Sequence, residues 1–168
     1  RRKKTMKKCN TQIMKEIKTL EEYRAKWIGI ERANCTVSYL QGEEPVLPDY
    51  DYETTRANVD YLDNEIRRLK GLLAYSNVTT IVEGFDMNIN EALIYLAQLK
   101  QKESHYNFLM GKNKISRSTS GFGNANIEFT KILYDQDVVR EELKKVTDTI
   151  MMLQMAIDRT NLTNMIDC

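Results

Sequence analysis

The chain of 168 residues is long enough for one domain with a hydrophobic core. Its 42% hydrophobic and 29% charged residues, with only 2 prolines, are typical of a helix-rich globular protein. The formal net charge is +1, but six cations lie within the first eight residues, so the rest of the chain is mildly acidic. This balance argues against a surface that binds nucleic acid.

The first twelve residues are predicted to be a basic tail, and residues 13–168 a single helical bundle domain. Residues 1–6 are what a purine-rich ribosome-binding site would encode if it were translated in frame. We therefore expect the native chain to begin at Met6 or at Met14. A natural solvated tail, or one that attracts an anionic partner, is the alternative interpretation.

A first helix over residues 11–33 is predicted by apolar residues that recur every three or four positions. Residues 36–51 break this pattern with turn-forming and acidic residues, which predicts a long acidic connector. Its carboxylates could gather a cation, but they lack the spacing of an EF-hand loop. We interpret the segment as a solvated connector that is held on the bundle by tyrosines, namely Tyr39, Tyr50 and Tyr52.

A second helix over residues 53–75 is predicted by a heptad pattern of apolar residues. The β-branched run at residues 78–82 follows it and predicts a short strand. A third helix should begin at Asn88, because the spacing from Asn88 to Glu91 is that of a capping box, and it should end near Gly111.

Residues 112–125 are rich in glycine and serine and are predicted to form a flexible loop. An extended segment at 127–134 and a fourth helix at 137–159, capped by Asp135 or Asp137, should follow. Loop cations and backbone amides are ingredients of an anion site, but no phosphate-binding loop motif is present. We therefore define a candidate interaction loop that is formed by Lys112, Lys114, Arg117 and Ser118.

The second and fourth helices align at a constant offset of 84 residues, which also superimposes twin Asn-x-Thr motifs, namely Asn77 with Thr79 and Asn161 with Thr163. The first and third helices align at an offset of 76, which matches Ile13 with Ile89. This self-similarity predicts an internal repeat with halves at about 13–83 and 89–167. The twin motifs are predicted to pair as a small two-stranded sheet.

The predicted fold is mainly α: a four-helix, coiled-coil-like bundle from a duplicated helix–helix–strand unit, with a small two-stranded β element. Several apolar residues lie outside the main stripes, namely Ile28, Leu72, Met151, Met152 and Met155. They indicate a second packed surface and hence a homo-oligomer, with a wider internal core as the alternative.

No residue pattern in the sequence predicts catalysis. His105 is the only histidine, and no catalytic or metal-binding partner stands at a useful spacing from it. The three cysteines, Cys9, Cys35 and Cys168, are odd in number and far apart, which favours a reducing cytoplasm. There is no signal-peptide core and no run of about 18 apolar residues. We expect a cytoplasmic protein without enzymatic activity, metal or cofactor.

Several short motifs resemble those of a known family. They are Gly42-Glu43-Glu44-Pro45, Asn77-Val78-Thr79-Thr80, Ala92-Leu93, Ser116-Arg117-Ser118 before Ile127-x-Phe129, and Thr160-Asn161-Leu162-Thr163. From about Met14 onward the chain resembles the septicolysin-like family of small bacterial proteins. The resemblance implies a helical, coiled-coil-rich fold without established catalytic residues, and the family name implies a pore-forming cytolysin.

The sequence therefore favours a bacterial, oligomeric structural or interaction protein that binds through its bundle surface or its two long connectors. An unidentified protein partner is compatible with this prediction, and nucleic acid is not expected. A membrane-active, pore-forming protein is the alternative, but residues 127–134 are too short an alternating segment to cross a bilayer. A third class, an enzyme or small-ligand binder, would need a pocket between helices with converging polar groups such as Asn77, Asn161 and His105.

Overall fold

The computed structural model describes residues 6–120 and 126–168. Within them the chain forms four helices and two antiparallel strand pairs. In chain order the elements are β1 (Lys7–Cys9), α1 (Asn10–Asn34), α2 (Tyr52–Thr79), α3 (Ile89–Met110), β2 (Ile115–Ser120), β3 (Asn126–Lys131), α4 (Gln136–Thr163) and β4 (Met165–Asp167). Strand β1 pairs with β4, and β2 pairs with β3. The prediction of a mainly α fold with a small β element is confirmed.

The chain divides into two compact units. The first contains the described residues up to Ile81 together with Arg159–Cys168, and the second is Val82–Asp158. Each unit has its own cluster of buried apolar side chains. The first predicted repeat half, residues 13–83, ends close to this division, whereas the last ten residues of the chain belong to the first unit.

The first unit is built on the pairing of α1 with α2. Asp51 ends the connector and caps α2 by accepting a 2.6 Å hydrogen bond from the Thr54 amide. The predicted heptad pattern of α2 is then buried, at Thr55, Val59, Leu62, Ile66, Leu69 and Ser76. The core of this unit combines Ile66 and Leu69 with Ile13 and Ile17 of α1, because both apolar stripes are thereby removed from water.

Ion pairs join the outer surfaces of α1 and α2. Arg24 Nε lies 2.5 Å from Asp63 Oδ1, and Lys70 Nζ lies 2.6 Å from Glu21 Oε1. The hydrogen bond from Arg24 lowers the pKa of Asp63 below its usual value. Because these groups are substantially exposed, the pairs fix the alignment of the two helices more than they add stability.

The second unit is built on α3 and on the part of α4 up to Asp158. Asn88 caps α3 as predicted: its side chain accepts from the Glu91 amide and Glu91 accepts from the Asn88 amide, both at 2.9 Å. Asp135 caps α4, since its Oδ1 atom accepts from the Asp137 amide at 2.8 Å. The core is formed by Val82, Ile89, Ala92, Leu96, Leu99, Val146, Leu153 and Ile157.

The twin Asn-x-Thr motifs do not form the predicted pair of strands. Both are the last turns of helices, and α2 and α4 are each 28 residues long with starts and ends that keep the offset of 84. The hydroxyl of Thr79 donates to the Tyr75 carbonyl, and that of Thr163 donates to the Arg159 carbonyl. These bonds to the preceding turn hold β-branched residues in helical geometry, so local strand propensity is overridden.

The strand β4 pairs with β1 instead of with the other motif. Cys9 is opposite Met165, and Lys7 is opposite Asp167. The boundary of the predicted basic tail at residue 12 is therefore wrong, because residues 7–9 are paired and Asn10, the first residue of α1, is fully buried. Residues 1–5 lie outside the described part of the chain.

The register predicted between the first and third helices is wrong by three residues. An offset of 76 matches the buried Ile17 with Leu93, which is 43% exposed. An offset of 79 instead superimposes the residues that precede the two helices, Cys9 and Asn88. It also matches buried residues with buried residues, namely Asn10 with Ile89, Ile13 with Ala92 and Ile17 with Leu96. Helical periods of three and four residues recur at both offsets, so only the burial pattern separates them.

Candidate interaction surfaces

Residues 115–120 of the predicted flexible loop form strand β2, which pairs with β3 in a β-ribbon. Strands β2 and β3 pair antiparallel from Ile115 opposite Lys131 to Ser120 opposite Asn126. Residues 121–125 of the predicted loop lie outside the described residues. The prediction of a loop was wrong for 115–120, because this serine-rich stretch has a single apolar residue and its strand structure depends on pairing with residues 126–131.

The two faces of the ribbon differ in chemistry. Residues directly opposite one another share a face, and side chains alternate along each strand. One face therefore carries Ile115, Arg117, Ile127, Phe129 and Lys131, while the other carries Ser116, Ser118, Glu128 and Thr130. The apolar side chains of the first face are 62%, 52% and 66% exposed for Ile115, Ile127 and Phe129, respectively. The ribbon thus presents an apolar face with two cations, which we call the ribbon face.

Hydrogen bonds fix the base of the ribbon to the helices on either side. The Tyr134 hydroxyl donates to the Leu109 carbonyl at 2.6 Å, and Gln136 Nε2 donates to the Lys112 carbonyl at 2.6 Å. An open cavity of about 370 Å³ lies here, lined by Lys114, Ile115, Lys131, Ile132, Tyr134, Asp135 and Gln136. These bonds hold the base of the ribbon between the end of α3 and the start of α4.

The four residues of the candidate interaction loop do not converge on one point. Lys112 Nζ lies 4.2 Å from the centre of the Phe108 ring, at the end of α3. Lys114 lines the cavity at the base. Arg117 and Ser118 are neighbours in β2 and therefore point to opposite faces. Of the four, Arg117 is the residue that lies on the ribbon face.

A second exposed apolar segment is the connector between α1 and α2. It contains Glu43, Glu44, Asp49 and Asp51 and no lysine or arginine between residues 35 and 51. Five of its large apolar side chains are exposed, with Val46 at 87% and Leu47 at 74%, together with Val37, Tyr39 and Leu40. Leu40–Glu43 is a turn in which Glu43 N–H donates to the Leu40 carbonyl at 3.1 Å and Gly42 has φ +94°.

One of the three tyrosines anchors this connector as predicted. The Tyr50 hydroxyl donates to Glu31 Oε1 at 3.3 Å, and Glu31 also pairs with Arg56. Burial, followed by the nearby Glu31 carboxylate, raises the pKa of the Tyr50 hydroxyl. Tyr39 and Tyr52 are exposed. The connector is therefore fixed at its α2 end and projects over residues 36–47.

Polar side chains from three parts of the first unit meet in its interior. Ser76 Oγ donates to Asn10 Oδ1 at 2.9 Å, and Asn10 Nδ2 donates to Asn161 Oδ1 at 3.0 Å. Asn164 Nδ2 donates to Ser76 Oγ and to Thr80 Oγ1, both at 3.0 Å. Among the twin-motif residues, Asn161 is thus part of this polar cluster, while Asn77 lies half-buried beside Ser76.

The polar cluster borders an open cavity of about 230 Å³, lined by Tyr75, Ser76, Thr79, Thr80, Asn164, Met165 and Ile166. The hydroxyl and amide groups on its wall already bind one another, so the cluster joins the first residue of α1 to the ends of α2 and α4. His105, proposed for such a pocket, lies elsewhere: it is exposed on α3, with its ring 6.3 Å from that of Tyr106. Sequence reasoning missed Asn10 because a polar residue beside a basic tail gives no signal of burial.

The apolar residues that lie outside the main helical stripes are packed in some cases and exposed in others. Leu72 packs against the core of the first unit, and Ile28 is half-buried. Met151, Met152 and Met155 are exposed on the side of α4 opposite to Leu153 and Ile157. The wider-core interpretation therefore fits Leu72, while the three methionines remain an apolar surface.

Among residues 6–120 and 126–168, no group of three or more histidine, cysteine, aspartate or glutamate side chains is positioned to hold a metal ion. No helix in this part of the chain is both long and apolar enough to cross a membrane. The three cysteines are free thiols, with Cys9 buried, Cys168 half-buried and Cys35 exposed.

No protein-family model and no curated protein matches the chain. Among solved structures, the chain is similar to a crystal structure of a functionally unknown conserved protein from Corynebacterium diphtheriae. The TM-score is 0.66 with 14% sequence identity, over 96% of this chain and 100% of that one. At this identity the similarity concerns the fold alone.

Proposed function

We propose that this chain is a bacterial, cytoplasmic structural or interaction protein that self-associates through the ribbon face. The observation that carries the proposal is the exposure of Ile115, Ile127 and Phe129 on one side of a two-stranded sheet. The resemblance to the septicolysin-like family and the internal repeat are part of the same proposal, since that family implies a helical scaffold without catalytic residues.

An isolated two-stranded sheet is only marginally stable in water unless its apolar face is packed against something. Full burial of one large apolar side chain contributes about 1.5–3 kcal/mol, so covering Ile115, Ile127 and Phe129 is a substantial driving force for association. The hydrogen bonds of Tyr134 and Gln136 at the base of the ribbon hold this face in a fixed orientation before a partner binds.

The exposed methionines of α4 support a protein partner as well. Methionine is flexible and polarisable, so a surface that carries Met151, Met152 and Met155 can adapt to a facing helix. Such a surface would be a second contact in an assembly, distinct in chemistry from the ribbon face because it lacks the cations Arg117 and Lys131.

We propose no enzymatic role, metal or cofactor. This part of the proposal is supported by the polar cluster, in which Asn10, Ser76 and Asn164 are engaged with one another. The amide and hydroxyl groups that form this cluster include no general base that could activate one of its hydroxyls as a nucleophile. Incubation with panels of esters, phosphate esters and peptides, with turnover above that of a heat-denatured control, would contradict it.

A membrane-active role is the second candidate, because the ribbon face combines apolar residues with Arg117 and Lys131, a chemistry that suits an anionic lipid surface. Strands of 6 residues extend about 20 Å, which is less than the roughly 30 Å of a bilayer core. We therefore expect at most surface binding. Dye leakage from liposomes at micromolar protein would favour this role over self-association.

The test of self-association compares two variants on opposite faces of the same strand. Phe129→Asp puts a charge on the ribbon face, and Thr130→Asp puts the same charge on the polar face. In sedimentation velocity over about 5–200 μM, we expect wild type and Thr130→Asp to associate and Phe129→Asp to remain monomeric. A wild-type chain that stays monomeric over this range, or equal association of both variants, would overturn the proposal.

A further inference from the structure

We infer that the ribbon face of one copy binds the acidic connector, residues 36–49, of a second copy. This inference rests on the proposed self-association and names the segment that covers the ribbon face. The occupant is therefore a second copy of this chain, and each copy carries both halves of the contact.

The charges of the two surfaces are the first reason to expect the connector on the ribbon face. The connector carries Glu43, Glu44 and Asp49 and no cation, whereas the ribbon face carries Arg117 and Lys131. The one acidic residue of the ribbon within the described strands, Glu128, points to the opposite face. Opposite charges on facing patches steer association and disfavour contact of either patch with itself.

Apolar surface is the second reason. The connector exposes Val46 and Leu47 beside its carboxylates, as the ribbon face exposes Ile127 and Phe129 beside its cations. A contact that matches only charges would be weak at physiological salt, because exposed ion pairs contribute little. Burying these apolar side chains against one another supplies the affinity, while the charges set the orientation.

The backbone is the third reason. In the described part of the chain β2 and β3 pair only with each other, so each strand has an outer edge with unpaired amide and carbonyl groups. Connector residues 36–40 are neither helical nor paired. Such a segment can become extended and add to this edge as a further strand, with every second side chain on the ribbon face.

The contact joins two different surfaces, and each copy carries one connector and one ribbon face. Association therefore closes as a two-fold dimer in which both contacts form reciprocally, closes as a larger ring, or continues as a chain of copies. A dimer with two identical patches facing each other is not expected from this contact.

The test is an exchange of charges between the two surfaces. The connector variant is Glu43→Lys with Glu44→Lys, and the ribbon variant is Arg117→Glu with Lys131→Glu; all four side chains are exposed. Each variant alone places like charges in the contact, so we expect self-association at least about tenfold weaker than in the wild type. A 1:1 mixture, and a chain that carries both changes, should recover it, because opposite charges then face each other again.

Controls separate this inference from the proposed function. Asp60→Lys with Asp148→Lys adds the same charge as the connector variant at exposed helical positions and should associate as the wild type does. Thermal unfolding followed by circular dichroism verifies the fold of each variant. Wild-type association should also weaken between 0.05 and 0.5 M salt, as the Debye length falls from about 14 Å to about 4 Å.

Two outcomes would overturn the inference while leaving self-association intact. One is a connector variant that associates as tightly as the wild type although Phe129→Asp abolishes association. The other is a loss of association in each charge variant with no recovery in the mixture or in the combined chain. A wild-type chain that stays monomeric yet sediments with phosphatidylserine vesicles would overturn both this inference and the proposed function.

Discussion

The hydroxyl of Ser76, near the end of α2, donates a hydrogen bond of 2.9 Å to Oδ1 of Asn10, the first residue of α1. Asn10 is fully buried and Ser76 is 3% exposed. Asn10 also donates to Asn161, which belongs to the last turn of α4. One amide side chain therefore bonds to groups from two other helices, and its loss would remove the acceptor of the buried Ser76 hydroxyl and the donor to Asn161 Oδ1.

The first prediction concerns this amide. Asn10→Ala should lower the free energy of unfolding by about 2 kcal/mol, because the Ser76 hydroxyl loses the acceptor of its hydrogen bond and Asn161 Oδ1 loses its donor. Urea unfolding followed by circular dichroism measures the change. Asn64→Ala, at an exposed position of α2, is the matched control and should change stability by less than about 0.5 kcal/mol. Equal effects of the two variants would show that the cluster is not a stabilising contact.

The second prediction concerns the start of the folded body. A chain that begins at Met6 retains β1 and Asn10, whereas one that begins at Met14 lacks both, together with the fully buried Ile13. We expect the Met6 chain to unfold as the full chain does. The Met14 chain should be less stable by about 3 kcal/mol or more, since loss of one buried isoleucine alone is worth about 2–5 kcal/mol. Differential scanning calorimetry of the two chains makes the comparison, and equal melting temperatures would contradict it.

The third prediction tests the offset of 79 between α1 and α3. Ala92 corresponds to Ile13 at this offset and is fully buried, whereas Leu93 is 43% exposed. Ala92→Leu should therefore overpack the core of the second unit and cost about 1–3 kcal/mol. Leu93→Ala should change stability by no more than about 0.5 kcal/mol. If Leu93→Ala lowered the free energy of unfolding more than Ala92→Leu does, the alignment of α1 with α3 at an offset of 76 would be favoured instead.

The fourth prediction concerns pH and the cap of α2. Hydrogen bonds from the Thr54 side chain and amide lower the pKa of Asp51. As the pH falls, the unfolded chain is protonated at this position before the folded chain. The stabilising effect of the carboxylate is therefore present above the usual aspartate pKa of about 4 and is lost as the pH falls through the lower folded-state pKa.

Asp51→Asn isolates this contribution, because asparagine is an equally good cap but does not titrate. We expect similar stability at pH 7 and a shallower decrease for the variant below about pH 4. Urea midpoints measured from pH 7 to pH 2 give both curves. Parallel curves over the acid range would mean that Asp51 does not contribute to the pH dependence.

The pattern of residues over short stretches of the sequence was sufficient to predict much of the fold. The heptad of α2 and the capping box at Asn88 were readable because helix periodicity and caps involve residues three or four positions apart. The offset of 84 between α2 and α4 also agrees with helix bounds that match at both ends. For the candidate site, composition located the cations of the 112–118 region but not the strand geometry that separates Arg117 from Ser118.

The features of the fold that the sequence did not predict depend on contacts between distant parts of the chain. Val78 and Thr79 have strand propensity, yet they end a helix, and β4 pairs with residues 7–9 at the opposite end of the sequence. Asn10 and Asn161 lie 151 positions apart, and nothing in the sequence shows that Asn10 will be buried or that the two side chains will bond. The sequence by itself determined the helices, since their hydrogen bonds are local. Only the tertiary structure decided which polar groups must be satisfied together and which apolar faces stay open, because both depend on the long-range packing of the whole chain.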